Sequence, residues 1–127
     1  MARSGRKVCI MAIQQWSDEI MVVELGDDPQ FSEDLTSVMD ALDKNPSDVV
    51  LNFGAVSFIN SSNVAKLLRL RKLMITKGRR LVLCDVNTQV NEVFLMTGLD
   101  KIFEFIKDIS AALAAIQLTR EQKAGKK

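Results

Sequence analysis

Residues 49–78, VVLNFGAVSFINSSNVAKLLRLRKLMITKG, read as a buried strand that passes through a polar bend into an amphipathic helix. Val49, Val50 and Leu51 form an apolar, partly β-branched run of the kind found where a sheet is covered on both faces. Residues 64–77 contain no glycine or proline and repeat their apolar side chains at helical spacing. Between the two lies Asn60-Ser61-Ser62-Asn63. Small polar side chains directly before a helical run accept hydrogen bonds from the unpaired amides of its first turn, so the helix is predicted to start within Asn60 to Ser62. The hydroxyls of Ser61 and Ser62 then sit where a helix offers free N–H groups and partial positive charge, a setting that stabilises an anion. A phosphoryl group can arrive there as part of a ligand or covalently, on Ser61 or Ser62. No Gly-rich loop followed by lysine accompanies the site, which counts against a bound phosphate ligand. A plain helix cap is the other reading that these residues leave open.

Upstream, Val8 to Gln14 and Ile20 to Leu25 read as two strands turning at Asp18-Glu19, a β-hairpin with Trp16 near the bend as a lid over its apolar face. Gly26-Asp27-Asp28-Pro29 breaks the second strand. Phe31, Leu35, Val38, Met39 and Leu42 then recur at helical spacing, and this first helix closes before Asn45-Pro46. The central strand is predicted over Asp48 to Phe53. In the helix after Asn60, about 100° per residue puts Val64, Leu67, Leu68, Met74 and Ile75 on one face and Ala65, Lys66, Arg69, Lys72, Thr76 and Lys77 on the other. Leu73 falls among the polar group. Beside Arg69, on the face that begins at Ser61 and Ser62, it is expected to be exposed and to contact a partner.

Downstream, Leu81 to Cys84 is a strand parallel to the central one, because a helix joins the two. A short helix over Asn87 to Met96, with Val90, Val93 and Phe94 inward, ends in a left-handed cap at Gly98. Ile102 to Phe105 is predicted as the final edge strand and Ser110 to Leu118 as an Ala-rich terminal helix. The alternation gives an α/β fold: a mixed four- to five-stranded sheet with an N-terminal β-hairpin and about four helices.

The 127 residues suit one domain, expected over 8–118, with flexible basic termini at 1–7 and 119–127. A net charge of +1 gives no support for direct nucleic-acid binding, and no apolar run is long enough for a membrane span. The cytoplasm is the expected location. The chain has no histidine, which removes Ser-His and Cys-His nucleophile pairs and the commonest zinc ligand. Cys9 and Cys84 lie in strand-like runs and read as small buried hydrophobes rather than a disulfide. With no acid–base constellation or cofactor loop, no catalytic residue, metal or cofactor is expected, and the protein is not read as an enzyme.

The run from Val56 to Phe103, VSFINSSNVAKLLRLRKLMITKGRRLVLCDVNTQVNEVFLMTGLDKIF, resembles a STAS domain, the module of bacterial anti-anti-sigma factors that is also appended to sulphate transporters. In the anti-anti-sigma members the segment reads D-S-S-G, then an apolar helix, a glycine turn, an apolar strand ending near Cys, a short helix and a T/S-G-L segment. Here those features are Asn60-Ser61-Ser62-Asn63, Gly78, Leu81 to Cys84, Val90 to Met96 and Thr97-Gly98-Leu99, and the likeness runs in order over residues 19–116. It implies a STAS (anti-anti-sigma-like) fold and an anti-sigma factor antagonist that docks onto an anti-sigma factor/serine kinase to control sigma-dependent transcription. It also implies phosphorylation at Ser61. The implied docking surface takes in Asp27, Asp28, Asn60, Ser61, Ser62 and Asn63, to which the helix pattern adds Lys66, Arg69 and Leu73. A weak homodimer is compatible with the sequence. Asn60 stands where the family has Asp, and Asn63 where it often has Gly. Asn keeps the hydrogen-bonding shape of the carboxylate but loses its charge. These departures favour a second reading, a non-phosphorylated STAS scaffold or subunit of a regulatory or transport complex.

Overall fold

The computed structural model describes residues 13–17 and 19–116. Their centre is β3, Asp48–Ala55. It lies in a five-stranded sheet with β1 (Ile13–Ser17), β2 (Ile20–Gly26), β4 (Leu81–Cys84) and β5 (Glu104–Ile106), ordered β1-β2-β3-β4-β5. β1 pairs antiparallel with β2, and β2 to β5 run parallel. The parallel steps are made by helices: α1 (Gln30–Lys44), α2 (Ser61–Lys77) and α3 (Thr88–Thr97). A further helix, α4, starts at residue 109 and is described to 116.

Successive strand residues point to opposite faces, and the two faces are covered differently. Val49, Leu51 and Phe53 join Val23 and Leu83 in the larger core, which α1, α2 and α3 close with Leu35, Val38, Leu67, Leu70 and Phe94. Val50 joins Ile20, Val22, Val82 and Cys84 on the other face, under Ala112 and Ile116 of α4. Val49, Val50 and Leu51 are each 0% exposed, so the apolar run does mark a strand covered on both faces. Burying such a side chain contributes about 1.5–3 kcal/mol. Within the larger core the rings of Phe31, Phe53, Phe94 and Phe105 meet edge to face in sequence, with centroids 5.1 to 6.2 Å apart. That chain of rings ties α1 to the far edge strand.

The ends of the helices follow local chemistry. Gly78 (φ 69°) and Gly98 (φ 75°) hold the left-handed conformation that stops α2 and α3, where any side chain would be strained. Asn45-Pro46 follows the last turn of α1, as expected.

Several boundaries and faces differ from the sequence reading. β1 continues to Ser17, three residues beyond the predicted end, so Trp16 lies within the strand, close to the turn. The expected strand residues 8–12, Cys9 among them, and both basic termini lie outside the described residues. β5 begins at Glu104, two residues later than predicted, because Leu99–Lys101 forms a 3-10 turn whose hydrogen bonds take up the amides of Ile102 and Phe103. The buried stripe of α2 is Asn63, Leu67, Leu70 and Met74. Leu70, absent from the predicted face, is 0% exposed, whereas Leu68 and Ile75, predicted on it, are exposed by 38% and 60%. The cause is Asn63: its side chain is bonded inward, so the helix is rotated to bury it and the 4-3-4 spacing that follows from it. Leu73 also differs from its expected exposure. It is half-buried and packed against the larger core, on the flank where Lys77 Nζ approaches Asp43 Oδ1 of α1 at 3.8 Å. Cys84 is a free thiol, pushed up to about 12 by burial and then by the charges of Asp85 and Asp108, which makes it inert at neutral pH.

Candidate docking surface at the start of α2

Because β2 and β3 are parallel neighbours, the loops leaving their carboxyl ends emerge side by side. One carries Asp27 and Asp28, the other Ser57, Phe58 and Asn60. Helix α2 starts from the second loop with Asn60 as its N-cap.

Four short hydrogen-bond sets build the site. Asn63 N–H donates to Asn60 Oδ1 at 2.9 Å, and Asn60 N–H donates back to Asn63 Oδ1 at 3.0 Å, a reciprocal capping box made by two asparagines. Asn63 Nδ2 donates to Asp28 Oδ2 at 2.8 Å. Asp28 Oδ1 accepts from the amide and hydroxyl of Ser32 at 3.1 and 2.8 Å, which caps the first turn of α1. Asp27 accepts from Ser57 N–H at 2.8 Å and from the Ser57 hydroxyl at 2.7 Å. Asn87 Nδ2 then ties the same loop to α3 through the Val56 carbonyl at 2.8 Å.

Electrostatics follow from these bonds. The Ser57 hydroxyl, and after it the Ser57 amide, hold the Asp27 carboxyl below its ordinary value. The Asn63 amide and the Ser32 hydroxyl do the same for Asp28. Both carboxylates are therefore ionised at neutral pH. The Asp28 carboxyl, which also feels the Asn60 side chain, places a negative charge near the helix start.

The predicted residues are brought together in part. Asp27, Asp28, Asn60, Ser61 and Ser62 are exposed in one cluster, and Arg69 is exposed about two turns further along α2. Asn63 is only 2% exposed and holds the cluster together from beneath, so a partner meets it only through its neighbours. Lys66 is half-buried with its Nζ 3.4 Å from Ser62 Oγ. The Ser61 hydroxyl makes no hydrogen bond among the described residues. Sequence reasoning missed Ser57, whose fixed hydroxyl and amide orient Asp27, and Phe58, which is 63% exposed beside the cluster. An apolar ring in a polar bend was the available signal for Phe58. Among the described residues no group of His, Cys, Asp and Glu is arranged to hold a metal.

The family model for the STAS domain matches residues 9–112. The chain belongs to the STAS domain family. STAS membership agrees with the sheet order and with the polar helix start. A STAS relative in sequence is a candidate anti-sigma factor antagonist, BtrV, of Bordetella bronchiseptica, 33% identical over 76 residues. That match spans 60% of this chain and 66% of the relative, just under two thirds of its length. Solved STAS structures share the fold. A candidate anti-sigma factor antagonist from Thermotoga maritima superposes with a TM-score of 0.74 at 20% identity, over 83% of this chain and 92% of that one. The anti-sigma factor antagonist SpoIIAA in its unphosphorylated form gives 0.71 at 18% identity, over 83% and 94%. No helix among the described residues is long and apolar enough to cross a membrane.

Proposed function

We propose that this STAS domain is an anti-sigma factor antagonist whose surface around Ser61 docks onto an anti-sigma factor with serine-kinase activity, and that phosphate on Ser61 ends the docking. The observation that carries the reading is the free, exposed Ser61 hydroxyl at the head of α2, next to a Ser62 hydroxyl already approached by Lys66 at 3.4 Å. Ser61 is thereby the acceptor a kinase can reach. One structural relative, SpoIIAA, is known in a phosphorylated as well as an unphosphorylated form.

The physics of the switch is local. Phosphate brings about −1.5 to −2 of charge and three acceptor oxygens. At a helix start that charge is tolerated, so the domain keeps its fold. Across an interface it adds bulk, repulsion and a desolvation cost, so docking fails. The protein acts as a binding switch in the cytoplasm, without cofactor or catalysis of its own.

One observation favours a second reading, a scaffold without a phosphorylation cycle: the Asn60 side chain is committed to the capping box, and no carboxylate stands beside Ser61 in the chain. Titration calorimetry of the chain against its anti-sigma factor separates the readings. The switch requires binding by the unmodified chain and by Ser61→Ala, and at least about tenfold weaker binding by Ser61→Asp. Equal affinity of all three would leave only the scaffold.

A further inference from the structure

Ser61 opens α2, and Ile75 lies fourteen residues further on, about 21 Å along the helix. At that far end a cleft of about 200 Å³ opens between the last turns of α2, the residues that lead into β4, and Ile102-Phe103-Glu104 at the entry to β5. Met74 and Phe103 form its apolar base, and Ile75 and Ile102, exposed by 60% and 40%, form its lips. Exposed aliphatic side chains on both sides of one cleft offer a ligand an apolar surface to cover.

The charges around the cleft are unequal. Arg80 is bound through two nitrogens to the carboxylate of Glu104, which neutralises the acid lining the cleft. Arg79 is held by Asp48 at 3.3 Å and Glu19 at 3.7 Å. Arg71 differs. Its Nε donates to the Ile102 carbonyl at 3.3 Å, and among the described residues its guanidinium meets no carboxylate. That bond fixes the side chain at the rim with its terminal nitrogens unused. A fixed guanidinium beside an apolar hollow is suited to a carboxylate attached to a short hydrocarbon.

We infer that this cleft is a second binding site of the domain, separate from the Ser61 surface, for a small aliphatic carboxylate whose hydrocarbon lies between Ile75 and Ile102 and whose carboxylate pairs with Arg71. The volume sets the size. A cleft of about 200 Å³ takes a short hydrocarbon chain, and hexanoate is a probe of that class. The reading is independent of the proposed docking function.

The test is a titration of the full-length chain followed by two-dimensional NMR, with hexanoate, hexanol and acetate as probes. Saturable shifts centred on Ile75, Ile102 and Phe103 are expected with hexanoate, and at least about tenfold weaker binding with hexanol, which lacks the charge, and with acetate, which lacks the chain. Arg71→Gln should weaken hexanoate about tenfold and leave hexanol unchanged. Ile75→Asp, at an exposed position that folding does not need, should abolish hexanoate binding by repulsion and serves if Arg71→Gln loosens the turn. Linear, non-saturating shifts, or hexanol and hexanoate binding alike, would overturn the proposal.

Discussion

Asn63 Nδ2 donates to Asp28 Oδ2 at 2.8 Å, a bond between residues 35 apart in the chain that joins the starts of α1 and α2. The same Asn63 side chain accepts from the Asn60 amide, so both ends of its carboxamide are used. Where the family often has glycine, this chain places a side chain that locks two loops. Asn63→Ala should therefore cost about 1 kcal/mol in urea unfolding, from the lost capping box and the lost bond to Asp28, whose exposed carboxylate keeps Ser32. A change below about 0.5 kcal/mol would show that the loops are held by other means.

The carboxylates of the site predict an acid response. Hydrogen bonds from Ser57 to Asp27, and from Asn63 and Ser32 to Asp28, lower both groups from 3.8. A lowered acid contributes stability above its unfolded value and loses it as pH falls through the folded one. Stability carried by these groups should thus be intact at neutral pH and decline below about 3.8, and Asp28→Asn should flatten that decline.

Asp34 behaves in the opposite sense. It is 9% exposed, its Oδ2 has no hydrogen-bond partner, and burial raises it from 3.8. A raised acid binds more protons in the folded state, so its ionised form costs stability at neutral pH. That cost is relieved as pH falls through the raised value toward 3.8. Asp34→Asn should stabilise the domain at pH 7 by up to about 1 kcal/mol and make little difference near 3.8. Equal unfolding curves at pH 7 would contradict the assignment.

Leu73 is packed and Leu68 is not, which reverses the stability expected of two substitutions on one helix. Leu73→Asp should lower thermal stability by about 1–3 kcal/mol, whereas Leu68→Asp should stay within about 0.5. If both were silent, Leu73 would be surface after all.

The sequence was most legible where one force dominated. Apolar runs at Val49 to Leu51 and Leu81 to Cys84 mark strands because burial on two faces leaves little choice of residue. Glycines at 78 and 98 mark helix ends because few other residues accept a positive φ. The face of α2 was less legible because periodicity counts apolar residues, and here the buried stripe begins with an asparagine held by Asn60 and by a partner 35 residues away. Ser57 escaped notice for the same reason: its bond to Asp27 spans 30 residues. The helix start at Ser61 was visible, since a polar bend before an apolar helix is a local pattern.

The central claim is that Ser61 is the switch. Incubation of the chain with its partner kinase and ATP, followed by peptide mass spectrometry and a binding assay on the purified product, tests it most directly. The account predicts one phosphate on Ser61, none on Ser62, an unchanged fold, and binding to the anti-sigma factor weakened by at least about tenfold. Phosphate on Ser62 alone, or a Ser61-phosphorylated chain that binds as tightly as the unmodified one, would contradict it.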